Sequence, residues 1–195
     1  MKLAILYDIK EKNDGTDMYL KYLKKSLDDA QLEYKVCNTY QELINTTDYL
    51  HLYLEPNSVS VHTKEADKLN IDIPSATAVG IFNHLPQDKT TTIGIIGRGL
   101  VGKQLIDMCI KAGYTVVEFN SHSWTNVKAF SLLMDCDVVV GLADKDKIFS
   151  DVVERIYLSD KMLIDSGNNF GNLSNKQRCG KWTREVIINR LKHGF

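Results

Sequence analysis

Hydrophobic and polar residues alternate along the first third of the chain in patterns typical of short strands and helices. The apolar runs in "KLAILYD", "EYKVCN" and "YLHLYLE" predict three strands. The segment "MYLKYLKKSLDDAQL" predicts a helix capped by Thr16 or Asp17, and "TYQELINTT" predicts a short helix capped by Thr39. The apolar residues of the longer helix recur on one face: Met18, Tyr19, Tyr22, Leu23 and Leu27. Residues 1 to about 56 therefore predict a β-α-β-α-β unit.

The remainder of the chain shows the same alternation after an irregular stretch. Residues 57–75 are polar and predict no regular element, whereas residues 76–86 predict a helix that ends near Pro86 and bridges two lobes. Four apolar strands follow: "TTIGIIG", "YTVVEFN", "DVVVGLA" and "KMLIDSG". Helical patterns separate or follow them: "VGKQLIDMCIKAG", "VKAFSLLMD", "KIFSDVVERI" and, at the end, "WTREVIINRLKHG". Strands that alternate with helices predict an α/β fold with a parallel sheet and right-handed crossovers.

A glycine motif occupies the turn between "TTIGIIG" and the helix that follows it. Its residues are Gly97, Arg98, Gly99, Leu100, Val101 and Gly102. Between a strand and a helix, this GxGxxG spacing is typical of dinucleotide binding. The first glycine permits a tight turn, the second lets a pyrophosphate approach the backbone, and the third allows the helix to pack closely on the strand. The helix N-terminus then attracts the phosphates through its N–H groups and dipole. The motif predicts a Rossmann-type lobe that binds NADP or NAD; the alternative is a glycine-rich turn that binds nothing.

The tip of the next strand, "EFNSHS", bears on the choice between the two nucleotides. Rossmann lobes usually have a carboxylate there, which binds the ribose 2′-hydroxyl. Asn120 stands at that position, and Glu118 falls two residues earlier. Because no carboxylate clearly repels a 2′-phosphate, Arg98, Ser121 and His122 are candidates to contact one, and NADP is favoured. Arg98 and His122 are equally compatible with solvated surface positions.

Two further places on the predicted sheets carry candidate residues. Asp165 and Gly167 end the strand "KMLIDSG", and open α/β sheets bind ligands at the carboxyl ends of their strands. We therefore include both among the candidate cofactor contacts, although Asp165 is equally suited to capping the following turn. His51 and Tyr53 alternate along the third strand and share a face, which either lines a cleft or faces solvent.

Composition and charge exclude several classes of protein. The 195 residues carry a formal net charge of −1, which indicates no general affinity for nucleic acid or an anionic membrane. No stretch reaches the roughly 18 apolar residues of a membrane span, and the N-terminus lacks a signal-peptide cleavage site. Cys109 and Cys136 lie within apolar patterns and are expected to be buried. Without a CxxC motif or a histidine pair at i,i+4 spacing, we predict no metal site and a reducing, cytoplasmic location.

Short motifs spread over nearly the whole chain carry a family resemblance. "GRGLVGKQ" is similar to a GRSxxVGxP loop but one residue shorter, "NSHS" to HSRT, and "IDSG" to IDVG. "YLKYL" is similar to YVxxK and retains Tyr19, and "SATAVG" is similar to PCTPxG and retains Thr77 and Gly80. "RCGKWT" is similar to GVGPMT and retains Gly180 and Thr183. Together these motifs resemble the bifunctional methylenetetrahydrofolate dehydrogenase/cyclohydrolase family, although the chain is much shorter than typical members.

The resemblance implies a domain organisation and a substrate cleft. A small N-terminal α/β lobe would occupy residues 1–75, and a Rossmann-type lobe residues 76–195, with its C-terminal helix returning to the first lobe. Tyr19, Thr77 and Gly80 would face the cleft, as would Tyr53, which stands where the family has a glutamine. Family members commonly pair through the Rossmann lobe, so a homodimer is one expectation, but the sequence leaves the oligomeric state open.

The departures from the family pattern concern the substrate chemistry. The family's catalytic lysine falls on Leu23, and Lys24 and Lys25 point elsewhere because a helix turns about 100° per residue. A leucine cannot activate a one-carbon unit as a charged lysine does. The loop with the family's folate-contacting aspartate is missing, and Asp144 replaces the glycine of its AxG loop. We therefore expect an NAD(P)-dependent oxidoreductase that resembles methylenetetrahydrofolate dehydrogenase, acts on a small molecule such as a folate, and lacks cyclohydrolase activity. A non-catalytic nucleotide-binding homologue and a dehydrogenase for a different small substrate are the alternatives.

Overall fold

The chain folds into two compact α/β units. A computed structural model describes residues 1–7, 14–55, 58–62, 69–120, 126–143, 158, 160–166, 169–171 and 173–193. One unit comprises Met1–Ala76 together with Thr183–Phe195, and the other comprises Thr77–Trp182. In the part of the chain that the structure describes, each unit contains one five-stranded sheet, and the predicted α/β class is confirmed. Within the described residues, no helix combines the length and apolar character needed to cross a membrane.

The first unit is built on a mixed sheet. Its elements are β1 (Lys2–Leu6), α1 (Asp14–Asp29), β2 (Glu33–Cys37), α2 (Tyr40–Ile44), β3 (Leu50–Glu55), β4 (Ser58–His62) and β5 (Leu69–Asp72). The strand order is β2-β1-β3-β4-β5, in which the first three strands are parallel and β4 and β5 are antiparallel to their neighbours. Of the residues predicted for the apolar face of α1, Leu23 and Leu27 are buried against Leu3, Ile5 and Leu52. Tyr22 was expected on the same face but is 43% exposed, with its ring 4.4 Å from the Arg184 guanidinium.

Two further expectations for this unit are wrong. The stretch predicted as irregular contains β4, which pairs with β3, and β5, which pairs with β4, and this pairing satisfies the main-chain groups of both strands. Helix α1 begins at Asp14, so Thr16 and Asp17 lie inside its first turn and do not cap it. The predicted cap of α2 is confirmed, since the Thr39 hydroxyl accepts the Glu42 N–H at 3.2 Å.

The second unit has an all-parallel sheet. Its elements are α3 (Ile73–Phe82, which begins in the first unit), β6 (Thr92–Ile96), α4 (Leu100–Lys111), β7 (Thr115–Phe119), α5 (Val127–Met134), β8 (Val138–Gly141), β9 (Met162–Asp165), β10 (Lys176–Arg178) and α6 (Gly180–His193, which ends in the first unit). The strand order is β10-β9-β8-β6-β7. Strand β10 was not predicted, because "KQR" has no apolar pattern and is defined only by its pairing with β9. The predicted helix "KIFSDVVERI" lies outside the described residues.

Two of the cysteines and a tryptophan lie in the core of the second unit. Cys109 and Cys136 are fully buried as predicted, and burial raises the pKa of each thiol to about 11. Trp182 is only 9% exposed, because its ring packs into the core and stacks on the His84 ring, with ring centroids 4.1 Å apart. The His84 ring also donates to the Gly80 carbonyl at 2.8 Å, which fixes it at the end of α3.

Candidate functional site

The glycine loop after β6 is the best-defined candidate site. Gly97 has a φ of +100°, and a Cβ atom there would lie 2.8 Å from the backbone nitrogen of Ala143. A Cβ atom on Gly102 would overlap the carbonyl oxygen of Gly97. These two positions therefore require glycine for the fold itself. At Gly99, in contrast, no atom of the described residues lies within 4 Å of a Cβ position, so the fold does not require glycine there.

The start of α4 has the properties of an anion site. Gly99 is the N-cap in an extended conformation, and no side chain among the described residues caps the helix. The first N–H groups of a helix have no partner within it, and they carry the positive end of its dipole. Leu100, the first helical residue, is 65% exposed, while Val101 is half-buried. The residues present at this turn therefore fit a diphosphate, which needs exposed amides and close access to backbone.

The loop lies beside the end of β7, where the adenosine ribose of a dinucleotide is expected. The Gly97 N–H donates to the Phe119 carbonyl at 2.8 Å, and Arg98 Nε lies 3.4 Å from a carboxylate oxygen of Glu118. The Arg98 side chain is 60% exposed, so it is accessible to a ligand despite this ion pair. Asn120 is half-buried at the strand end. Two other predicted contacts, Ser121 and His122, lie outside the described residues.

A surface cavity of about 320 Å³ adjoins this loop and α4. Its lining consists of Arg98, Lys103, Gln104, Ile106 and Asp107. Apart from Arg98, none of these residues belongs to the glycine motif, so the cavity flanks the predicted phosphate position without containing it.

On the other side of the loop, Asp165 ends β9 and is fully buried. One oxygen of its carboxylate accepts the Asn169 N–H at 3.1 Å, which caps the turn after the strand. The other oxygen lies 4.0 Å from the Lys176 ammonium group. This geometry is the capping role that the sequence offered as the alternative for Asp165, and its contact with a cofactor stays a prediction. Gly167 lies outside the described residues.

The candidate residues for the substrate cleft are distributed over both units. Tyr19 lies on α1 and Tyr53 on β3, both in the first unit, and their side chains are not described. Thr77 and Gly80 lie on α3 in the second unit and are both buried. His51 was a weaker candidate; its ring is held by Thr46, whose hydroxyl and carbonyl oxygens lie 3.2 and 3.0 Å from Nε2.

Leu23, at the position of the resembling family's lysine, is fully buried in the core of the first unit. Lys24 and Lys25 are exposed, as the helical geometry predicts. No cluster of three or more metal-ligating side chains occurs among the described residues.

Several residues around the site are not among the predicted contacts. Gly141 ends β8, and a Cβ atom there would lie 2.5 Å from the side-chain oxygen of Asn169. The Asn169 amide donates to the Ala143 carbonyl at 2.8 Å. Lys176 stands on the unpredicted strand β10. The position of Asn169 just beyond a parallel strand was a usable signal, whereas nothing in the sequence around Lys176 indicates its burial.

Comparisons with known proteins support the fold and leave the activity open. No protein-family model matches the chain, and no curated protein matches it in sequence. Among solved structures, the bifunctional 5,10-methylenetetrahydrofolate dehydrogenase/cyclohydrolase of Thermoplasma acidophilum is similar, with 13% identity, a TM-score of 0.58, and coverage of 97% of this chain and 86% of that chain. The Trypanosoma brucei methylenetetrahydrofolate dehydrogenase-cyclohydrolase, complexed with NADP cofactor and inhibitor, has 11% identity, a TM-score of 0.60, and coverage of 96% and 84%.

A quinate dehydrogenase from Corynebacterium glutamicum, in complex with NAD, is also similar, with 12% identity, a TM-score of 0.55, and coverage of 100% and 94%. At these identities the likeness shows a shared fold. Because the same fold occurs in a folate enzyme and in a quinate enzyme, it does not select a substrate.

Proposed function

We propose that the Thr77–Trp182 unit binds NADP or NAD at the Gly97–Gly102 loop, and that the chain is an NAD(P)-dependent oxidoreductase for a small-molecule substrate. The observation that carries this proposal is Gly99. The fold requires glycine at Gly97 and Gly102 but leaves open space at Gly99, which is the position where a Rossmann motif needs room for a pyrophosphate. A ligand explains a glycine that the fold alone does not.

The proposed roles follow from the positions of the strand ends. The adenosine half would lie towards the end of β7, near Arg98, and the nicotinamide half towards the ends of β8 and β9. When bound, the nicotinamide supplies the chemistry by accepting or donating a hydride, and the protein binds and orients it. The amides at the start of α4 would hold the diphosphate, and Gly97 would keep the turn tight enough to present them.

For the substrate, we propose a folate, in a reaction of the methylenetetrahydrofolate dehydrogenase type without cyclohydrolase activity. The motif resemblance supports this assignment, with Tyr19, Tyr53, Thr77 and Gly80 as the proposed substrate contacts, and the shared fold is compatible with it. The burial of Leu23 among apolar side chains supports the absence of cyclohydrolase activity, since no amine occupies that position. Hydride transfer does not depend on that amine in principle, because positioning of the nicotinamide is its main requirement.

The same burial of Leu23 favours a second candidate function. A non-catalytic homologue would retain the glycine loop and bind the nucleotide, but would no longer position a substrate. The shared fold with quinate dehydrogenase also keeps open a dehydrogenase for a different small substrate.

Calorimetric titration of the full chain with NADP⁺ and NAD⁺ tests the proposed binding. We expect a single site per chain and a raised melting temperature at saturating nucleotide, since a ligand that binds only the folded state stabilises it by mass action. No heat and no stabilisation with either nucleotide would overturn the proposal. A turnover assay that follows the nicotinamide absorbance with folates, quinate and shikimate then separates the candidates. Reduction with a folate supports the folate assignment, reduction with another acid contradicts it, and binding without any turnover favours the non-catalytic homologue.

A further inference from the structure

A chain of buried polar contacts lies behind the strand ends that the nicotinamide half would face. The Lys176 ammonium group donates to the Gly171 carbonyl and lies 4.0 Å from Asp165 Oδ2. Asp165 Oδ1 accepts the Asn169 N–H, and the Asn169 side-chain amide donates to the Ala143 carbonyl. The side chain of Asp165 is fully buried, and that of Lys176 is only 15% exposed. The contacts therefore join β10, β9 and the segment after β8 in one network.

Stability alone does not explain this ion pair. Desolvation of two buried charges often outweighs their attraction, and a well-packed apolar pair of similar volume is commonly as stable. Among the described residues, Asp165 Oδ2 accepts no hydrogen bond, so the geometry of the pair is not optimised for stability. A buried charge pair with imperfect geometry is better explained by the need to hold a particular conformation.

The conformation that the network holds is that of Gly141–Ala143. On one side, this segment contacts the glycine loop: the Leu142 N–H donates to the Ile96 carbonyl at 2.8 Å, and the backbone of Ala143 packs against Gly97. On the other side, Asn169 packs against Gly141 so closely that a Cβ atom would not fit. The segment is thus fixed between the turn for the diphosphate and the Asp165–Asn169 pair.

We infer that Lys176 is a positioning residue for the nicotinamide half of the dinucleotide. Through Asp165 and Asn169 it sets the position of Gly141–Ala143, the backbone segment next to the glycine loop on the nicotinamide side. This inference rests on the proposed function and adds a residue to it. The adenosine half lies towards β7, away from the network, so the effect of Lys176 is confined to the part of the ligand beyond the diphosphate.

Comparison of the full dinucleotide with a fragment that lacks nicotinamide tests the inference. The affinities of the full chain for NADP⁺, NAD⁺ and ADP-ribose are measured by calorimetry for the wild type, Lys176→Met and Lys176→Arg. Lys128→Met, at an exposed lysine on α5, is the matched control. We expect Lys176→Met to weaken dinucleotide binding about tenfold, the equivalent of one lost hydrogen bond, and to change ADP-ribose binding less than about twofold. Lys176→Arg should recover most of the loss.

Each other outcome has a defined meaning. Equal weakening of all three ligands, or no weakening of any, would overturn the positioning role while the proposed function stands. A wild type that binds neither dinucleotide would overturn both. If Lys176→Met does not fold because Asp165 is left as an unpaired buried charge, the double variant Asp165→Asn/Lys176→Met removes both charges. It is expected to fold and to show the same selective loss of dinucleotide affinity; unchanged dinucleotide affinity in that folded variant would overturn the inference.

Discussion

The backbone of Gly97 and the Cα of Gly102 are in direct contact, which leaves no space for a side chain on Gly102. Its Cβ atom would overlap the Gly97 carbonyl oxygen, which is part of the backbone and does not move without distorting the turn. We therefore expect Gly102→Ala to lower the free energy of unfolding by about 2 kcal/mol or more. Urea denaturation measures this, and Gly99→Ala, which meets no neighbouring atom, is the control and should change stability by less than about 1 kcal/mol. Equal losses at both positions would contradict the geometry of the loop.

A carboxylate at position 99 should weaken nucleotide binding without lowering the stability of the protein. The Asp side chain is a good N-cap and accepts hydrogen bonds from the amides at the start of α4, so Gly99→Asp should leave the melting temperature unchanged or slightly raised. The same carboxylate occupies the proposed diphosphate position and repels it, so we expect affinity for NADP⁺ and NAD⁺ to fall about 100-fold or more. Calorimetry measures the affinities, and Gln41→Glu, at an exposed residue of α2, controls for the added charge. Retained affinity in Gly99→Asp would place the nucleotide elsewhere.

A lysine at position 23 should destabilise the protein and should not create an activity. Leu23 packs against Leu3, Ile5 and Leu52, and a charged ammonium group there has no partner in the core. Burial of an unpaired charge is among the most costly substitutions, so we expect Leu23→Lys to lower the free energy of unfolding by about 3 kcal/mol or more. Lys24→Leu, on the exposed neighbour, is the control and should be nearly neutral. A stable Leu23→Lys variant with cyclohydrolase activity would show instead that this position faces a substrate.

The elements that the sequence predicts correctly are those whose side chains show a period. The buried Leu23 and Leu27 of α1, the apolar run of β6 and the Thr39 cap all follow from local patterns of residues. Strand β10 shows no such pattern and is defined only by its main-chain pairing with β9. Strands β4 (SVSVH) and β5 (LNID) do alternate polar and apolar residues, a signal that the prediction of an irregular stretch did not use. The predicted start of α1 differs from the observed start at Asp14, because several polar residues near Asp14 are residue types that cap helices equally well.

The candidate site likewise contains one part that the sequence predicts and one part that it does not. The glycine motif is local in sequence, and its three glycines are spaced by the geometry of one turn. The burial of Asp165, by contrast, depends on Asn169 and Lys176, which reach it through a turn and through a neighbouring strand. Such contacts are properties of the tertiary packing, and a single sequence carries no local pattern for them.

The buried thiols should make the protein less stable at alkaline pH. The pKa of Cys109 and of Cys136 is raised from an ordinary 9.0 to about 11, because burial disfavours the thiolate. Between pH 9 and 11 the unfolded chain loses these protons while the folded chain keeps them, so the free energy of unfolding falls as pH rises through this window. The loss is on the order of 2 kcal/mol per thiol by pH 11. Urea denaturation from pH 8 to 11 measures how steeply the free energy of unfolding falls with pH. Cys109→Ala should make this fall less steep, even though the variant is less stable than the wild type at pH 8. If the fall is equally steep in the variant, groups other than Cys109 cause the alkaline loss.

The ion pair between Arg98 and Glu118 predicts how the nucleotide preference responds to mutation. Arg98 Nε lies 3.4 Å from a Glu118 oxygen at the end of β7, where a 2′-phosphate on the adenosine ribose is expected. Because Arg98 is mostly exposed, its pair with Glu118 contributes little to stability, and Arg98→Ala should leave the melting temperature nearly unchanged. The same change should weaken NADP⁺ about tenfold more than NAD⁺, as expected for one lost charge-assisted hydrogen bond to the phosphate.

Glu118→Gln removes the carboxylate that competes for Arg98 and should shift the preference towards NADP⁺. Parallel titrations of both nucleotides at low and high salt measure these ratios, and screening should reduce the NADP⁺ advantage. Equal weakening of both nucleotides in Arg98→Ala would remove the argument for NADP.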